Sequence, residues 1–204
     1  RADMGASAAS VYDDLAARLR QGPVAVNYPL GNGGFAQRPM NAAILEDDAF
    51  YALYGPDSRA GFLRALAAST HGNLVPLLSL GYENIGIDPE TLDPKTDPTF
   101  YGGAYYAITC PDYDDAGHDP AARVRQILDE ANAFAPQAPR FLRNVYAERL
   151  VCAFWPVKGA GDPPAPFKGG GYPTVVLNSD SDPATPISNG YAVFDRIPNA
   201  TMVT

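Results

Sequence analysis

Cysteine, histidine and tryptophan are scarce in this sequence. Among its 204 residues there are two cysteines, two histidines and one tryptophan. Lysine is also scarce, with Lys95, Lys158 and Lys168 as its three examples, and the net charge is −8. This charge argues against a nucleic-acid partner, which needs a basic face. Two cysteines are too few for a disulfide framework, and their spacing fits no zinc site.

Long hydrophobic runs are absent as well. No apolar stretch approaches the roughly 18 residues that cross a bilayer, so we expect no membrane span. No basic-then-apolar leader opens the sequence, so we expect any export signal to have been removed or to lie outside it. The composition, 46% hydrophobic and 19% charged, is typical of a folded globular chain with a substantial core.

The first three quarters of the sequence predict a series of short helices. Apolar residues recur at helical spacing, and Gly-Pro or Gly-Asn pairs separate several of the segments. The predicted helices cover residues 10–21, 40–54, 59–69, 74–80, 121–134 and 139–150. Residues 24–34 are predicted to be a turn-rich connector, 83–104 a loop, and 108–110 a short extended segment.

The end of the sequence predicts a different architecture. Residues 157–171 are rich in Gly and Pro and are predicted to be a linker that packs no core. Residues 174–177 form an uncharged β-branched and aliphatic run, typical of a parallel strand buried on both faces. A helix is predicted at 187–196 and another strand from residue 200. The acidic residues after the first strand therefore lie at its carboxyl end, where open α/β sheets bind ligands.

Residues 175–186, Val-Val-Leu-Asn-Ser-Asp-Ser-Asp-Pro-Ala-Thr-Pro, resemble a segment of a known family. The segment is the acid-bearing strand and loop of α/β-hydrolases of the tripeptidyl aminopeptidase and proline iminopeptidase type. In that family the Asp of an Asp-Pro-x-Thr-Pro motif orients the catalytic histidine. The resemblance assigns this role to Asp182, with Pro183, Thr185 and Pro186 completing the motif.

Two further stretches are similar to that family: residues 106–110 followed by Asp112, and residues 152–156. The resemblance implies an α/β fold in which this chain is a fragment of an α/β-hydrolase. Residues 1–156 would be a mostly helical cap region, 157–171 a linker, and 172–204 the C-terminal part of the hydrolase sheet, a strand–loop–helix–strand that carries the catalytic acid.

The cysteines have two interpretations. Taken alone, Cys110 and Cys152 are consistent with two independent buried thiols. Both lie in motifs that match the resembled family, which is largely exported. The resemblance therefore implies a disulfide between them and a secreted or cell-envelope location.

An α/β-hydrolase needs a serine, an acid and a histidine in that chain order, with the serine in a G-x-S-x-G turn. Ser7 and Ser79 come nearest to that pattern, and each lacks one of its glycines. His71 and His118 both precede Asp182. We therefore expect the nucleophile and the base to lie outside this sequence.

We therefore predict that the chain is part of a secreted serine hydrolase that cleaves peptide bonds near the N-terminus of peptides. We expect this hydrolase to use neither a cofactor nor a metal. Because carboxylates suit recognition of an α-ammonium group, Glu83 and Asp112 are predicted to bind substrate. The expected partners are a peptide substrate, the N-terminal half of the hydrolase, and a second copy of the chain. The second copy would pair through the orphan strand at 174–177, whose backbone groups need neighbours.

Several alternatives remain open. The chain could be an esterase-type α/β-hydrolase, or a non-catalytic helical module that binds a partner through its aromatic residues. Those residues are Tyr101, Tyr105, Tyr106 and Trp155. The acids between residues 112 and 119 and the alternating oxygens of 178–182 suggest calcium ligands, but neither stretch has the Gly and Glu of an EF-hand loop. We interpret the first stretch as a solvated acidic turn.

Overall fold

A computed structural model describes residues 6–97, 101–112, 119–138, 140, 142–157, 170–182 and 184–204. The chain divides into two compact units, Arg1–Gly159 and Ala160–Thr204. In the described parts, no helix is both long enough and apolar enough to cross a bilayer. Most of the predicted linker, residues 158–169, lies outside the described residues.

The first unit consists of short helices and one hairpin. Its described elements, in chain order, are α1 (Ala8–Arg20), β1 (Val24–Pro29), β2 (Phe35–Met40), α2 (Ala42–Tyr51), α3 (Pro56–Ser69), α4 (Val75–Asn84), α5 (Gly102–Asp112), α6 (Pro120–Phe134) and α7 (Leu142–Cys152). The core of the unit lies among α1 to α4 and the hairpin, and its largest fully buried apolar side chains are Met40, Leu45, Leu66, Leu77 and Leu78.

Polar side chains set where several helices begin. The side chain of Ser7 caps α1 by accepting a hydrogen bond from the Ser10 N–H at 3.1 Å. Helix α1 therefore starts earlier than predicted, and Ser10 is a residue of its first turn. Asp119 caps α6, as predicted, through the Ala122 N–H at 2.8 Å. Each cap satisfies an N–H that has no partner within its helix.

The prediction of a connector at residues 24–34 is wrong for its first half. β1 pairs with β2 in an antiparallel hairpin in which Val24 lies opposite Met40 and Pro29 opposite Phe35. Val26 and Tyr28 are buried and alternate with exposed neighbours. Because only two buried residues alternate with exposed ones, the strand pattern is hard to recognise in the sequence beside the proline and the glycines that follow. The glycine-rich half does form the predicted turn, with Gly33 at a φ of +82°.

The prediction of an extended segment at 108–110 is also wrong, because these residues lie in α5. The predicted disulfide is confirmed: Cys110 of α5 is bonded to Cys152 of α7, with Cα atoms 5.0 Å apart. Tyr106 and Trp155 pack against this buried pair. Helix α5, which contains β-branched residues, is thus held against α7 by a contact far away in the sequence.

The second unit is a strand–helix–strand, as predicted. It contains β3 (Thr174–Leu177), α8 (Ile187–Phe194) and β4 (Ala200–Val203). β3 and β4 are parallel neighbours, with Thr174 opposite Ala200 and Leu177 opposite Val203. α8 packs on both strands.

The prediction that β3 is buried on both faces is wrong for the described residues. Val175 and Leu177 are 67% and 77% exposed, and Val203 on the same face of the sheet is 43% exposed. Thr174 and Val176, on the opposite face, are half-buried. The described part of this sheet has two strands, so one face of a sheet with a parallel-type sequence lies open.

Removal of the disulfide should destabilise the first unit. The bond joins residues 42 positions apart, and the loss of loop-closure constraint in the Cys110→Ala/Cys152→Ala variant should cost about 4 kcal/mol in the free energy of unfolding. Chemical denaturation followed by circular dichroism would measure this cost. The reduced wild-type chain is the matched control and should unfold at a similar denaturant concentration. Equal midpoints for the oxidised wild type and the double variant would contradict the prediction.

Candidate active site

Asp182 lies in the loop between β3 and α8, beyond the carboxyl end of β3. This loop borders an open depression of about 670 Å³. The depression is lined by Leu177, Asn178, Ser179, Asp180, Asp182, Thr185 and Thr204. Thr204 directly follows β4, so the depression lies at the carboxyl ends of both parallel strands. Open α/β sheets bind ligands at this edge.

Three donors from the residues that follow Asp182 hold its carboxylate. Oδ1 accepts hydrogen bonds from the backbone N–H groups of Ala184 at 2.8 Å and Thr185 at 3.0 Å. Oδ2 accepts a hydrogen bond from the Thr185 hydroxyl at 2.6 Å. The Asp-Pro-x-Thr spacing produces this arrangement, because it places the hydroxyl three residues after the carboxylate. A turn without any catalytic role would use the same bonds, so they define the position of Asp182 but not its function.

These hydrogen bonds keep Asp182 ionised. The Thr185 hydroxyl has the largest effect, followed by the backbone N–H groups of Thr185 and Ala184, and together they lower the pKa of the carboxyl below its usual value. A carboxylate has about four acceptor positions, and within the described part of the chain the hydrogen bonds from Ala184 and Thr185 occupy three of them. The remaining position, on Oδ2, can accept an N–H from a further group such as an imidazole.

Asn178 fixes the start of this loop. Its side-chain Nδ2 donates to the carbonyl oxygens of Ser179 at 3.1 Å and Thr185 at 2.9 Å. Gly190 of α8 packs against the same side chain, since an added Cβ there would lie 2.5 Å from Asn178 Oδ1. From the sequence, Asn178 is interpreted only as a possible oxygen ligand for calcium. The sequence signal for its structural role is the glycine inside α8, which marks a close approach.

The other predicted site residues lie in the first unit. Glu83 is on the exposed side of α4, and Asp112 is the exposed last residue of α5. Every residue that lines the depression around Asp182 belongs to the second unit. The assignment of Glu83 and Asp112 to substrate binding therefore stays a prediction. His71 follows α3 in an exposed turn, and His118 lies outside the described residues.

No group of three or more histidine, cysteine or acidic side chains in the described ranges is placed to hold a metal ion. Most of the predicted acidic turn, residues 113–118, lies outside those ranges. In the second stretch considered for calcium, residues 178–182, side-chain oxygens take part in hydrogen bonds within the loop. Ser181 Oγ donates to Asp180 Oδ1 at 3.1 Å, and Asp182 Oδ1 accepts from the Ala184 N–H.

Residues 138–204 match a family of α/β-hydrolases, described as TAP-like protein. The match includes α7 and the whole β3–α8–β4 segment with Asp182. It confirms the resemblance to hydrolases of the tripeptidyl aminopeptidase type over this part of the chain and supports the interpretation of the second unit as a hydrolase fragment.

Individual relatives support the same family of hydrolases. The chain is 31% identical over 99 residues to the serine protease Hip1 of Mycobacterium bovis and of two strains of Mycobacterium tuberculosis. The aligned region covers 47% of this chain and 18% of those proteins, so the chain spans less than a fifth of the length of these relatives. Both comparisons support a serine hydrolase or peptidase family.

We predict that the Thr185 hydroxyl makes the largest contribution to the lowered pKa of Asp182. In a Thr185→Val variant the backbone donors remain, but the hydroxyl at 2.6 Å is lost, so the pKa of the Asp182 carboxyl should rise toward its ordinary value. Titration of the ¹³C-labelled carboxyl by NMR would measure the shift. The Thr185→Ser variant keeps a hydroxyl and should titrate like the wild type. An unchanged pKa in the valine variant would show that this hydrogen bond does not govern ionisation.

Proposed function

We propose that this chain provides the acid of a Ser–Asp–His triad in a serine peptidase, with Asp182 as that acid. The observation that carries the proposal is an ionised carboxylate with one open acceptor position, located at the carboxyl edge of two parallel strands inside the TAP-like match. In such a triad the acid binds the Nδ1–H of the histidine, keeps the ring in the required tautomer and stabilises the imidazolium. Asp182 has the charge and the acceptor position for this role.

The rest of the triad would lie in parts of the protein beyond this chain. The open face of the β3–β4 sheet supports this view, because parallel sheets are normally covered on both faces and paired at both edges. Val175, Leu177 and Val203 would then be buried by the N-terminal half of the hydrolase. A second copy of the chain, paired along the free edge of β3, is the other arrangement that would satisfy these strands.

The proposed substrate class rests on the sequence resemblance and not on the geometry at Asp182. We propose a peptide cleaved near its N-terminus as the substrate, and we propose that the helical first unit is the cap region of the hydrolase. Glu83 and Asp112 are the proposed partners of the peptide's α-ammonium group, since both are exposed carboxylates. The disulfide between Cys110 and Cys152 supports a secreted or cell-envelope location, because such bonds persist mainly in oxidising compartments.

Replacement of Asp182 should abolish most of the activity of the full-length protein. In an Asp182→Ala variant the histidine would lose its tautomer and orientation, and kcat should fall by about 10⁴-fold with little change in KM. Asp180→Ala is the matched control, since Asp180 lines the same depression but its carboxylate accepts a hydrogen bond from the Ser181 hydroxyl. It should keep kcat within a few-fold of the wild type.

Aminoacyl and tripeptidyl chromogenic substrates would measure this effect, and p-nitrophenyl esters would test the esterase alternative in the same proteins. Full peptidase activity in the Asp182→Ala variant would reject Asp182 as the catalytic acid. Hydrolysis of esters but not of peptides by the wild type would instead retain Asp182 and reject the peptidase assignment.

A further inference from the structure

The helical unit contains a buried carboxyl group with one unpartnered oxygen. Asp48 lies on α2 and is 2% exposed. Its Oδ1 accepts a hydrogen bond from Asn84 Nδ2 of α4 at 3.0 Å. Its Oδ2 is also buried but has no hydrogen-bond partner in the structure. Buried ionised groups are normally paired, so this arrangement is unfavourable for a charged carboxylate and tolerable for a neutral one.

α2 and α4 approach closely beside this group. A Cβ added to Gly81 of α4 would overlap a methyl group of Ile44 and lie 3.6 Å from Asp48 Oδ1. Ile44 and Asp48 are four residues apart and thus share the face of α2 that packs on Gly81. Because Oδ2 has almost no exposed surface, water can reach it only if the packing around it opens, and the contact between α2 and α4 is part of that packing.

Among the residues that the structure describes, no cation acts on the buried carboxyl group. Four helices pack on α2, namely α1, α3, α4 and α7. Within the described residues, the groups from these elements and from α2 itself that act on Asp48 are the Asn84 amide and the Asp47 carboxylate. Burial raises the pKa of Asp48 to about 8, the charge of Asp47 adds to the rise, and the Asn84 hydrogen bond opposes it.

We propose that Asp48 is a pH-sensitive latch, which holds α2 against α4 while its carboxyl group is neutral and loosens this contact when it ionises. In the unfolded chain the same group ionises near its ordinary pKa of 3.8. Between that pH and about pH 8 the folded state therefore holds a proton that the unfolded state has lost. The folding equilibrium constant consequently falls with rising pH, by about tenfold per unit, and levels off above the folded pKa.

The proposal of a latch depends on the packing of α2 against α4 and does not depend on the proposed peptidase activity. Its tests measure folding and titration, so a failure of either proposal is visible without the other. If the helical unit is the cap of a hydrolase, the latch makes that cap firmest in acid.

The Asp48→Asn variant tests the latch directly. It keeps the size of the side chain and the acceptor for Asn84 but cannot ionise. Denaturant unfolding of the full chain at pH 5, 6.5 and 8 should show that the ratio of the variant's folding constant to that of the wild type grows about tenfold per pH unit. Asp14→Asn, at an exposed position of α1, is the matched control and should follow the wild type at every pH. An Asp48→Asn variant that also follows the wild type would overturn the proposal.

A direct titration decides the question even if the variant folds poorly. In the wild type labelled with [4-¹³C]aspartate, one carboxyl resonance should titrate near pH 8. In the Asn84→Ala variant, which lacks the donor that favours ionisation, this midpoint should move higher. If every aspartate of the folded wild type is ionised by pH 6, the latch does not exist.

Discussion

Parallel pairing of β3 with β4 determines where the chemistry of the second unit can lie. The backbone ladder extends one residue past β3, where the Asn178 N–H donates to the Val203 carbonyl at 3.1 Å. The loop that follows is thereby held at the same edge as Thr204. Because parallel strands need a crossover between them, α8 occupies one face of the sheet and the acid-bearing loop lies at the strand ends. A shift in this pairing would displace the depression and Asp182 together.

Two aspartates in this chain show how environment alone sets the charge of a carboxyl group. Asp182 lies on the surface, where three donors close by in sequence lower its pKa. Asp48 is enclosed between helices, where the described residues provide one donor and no cation, and burial raises its pKa to about 8. The first group is suited to hold a positively charged imidazole, and the second is suited to respond to pH.

The helices of the first unit could be predicted from sequence because their signals are local. Leu15 and Leu19 of α1 and Phe62 and Leu66 of α3 repeat at helical spacing, and Asp119 stands directly before α6. The β1–β2 hairpin could not be predicted, because Val26 and Tyr28 show an alternation too short to stand out beside Pro29. The end of α5 could not be predicted either, since β-branched Ile108 and Thr109 favour strands, and the disulfide that ties this end of the helix to α7 joins residues 42 positions apart.

The turn around Asp182 follows from local sequence, because its donors lie within three residues of the carboxylate. The same motif carries the resemblance to the hydrolase family. The state of Asp48 depends on packing between distant segments, since its neighbours Gly81 and Asn84 lie more than 30 positions away on α4. Whether a side chain is buried depends on which surfaces pack together in the fold. The residues near it in the sequence do not show this.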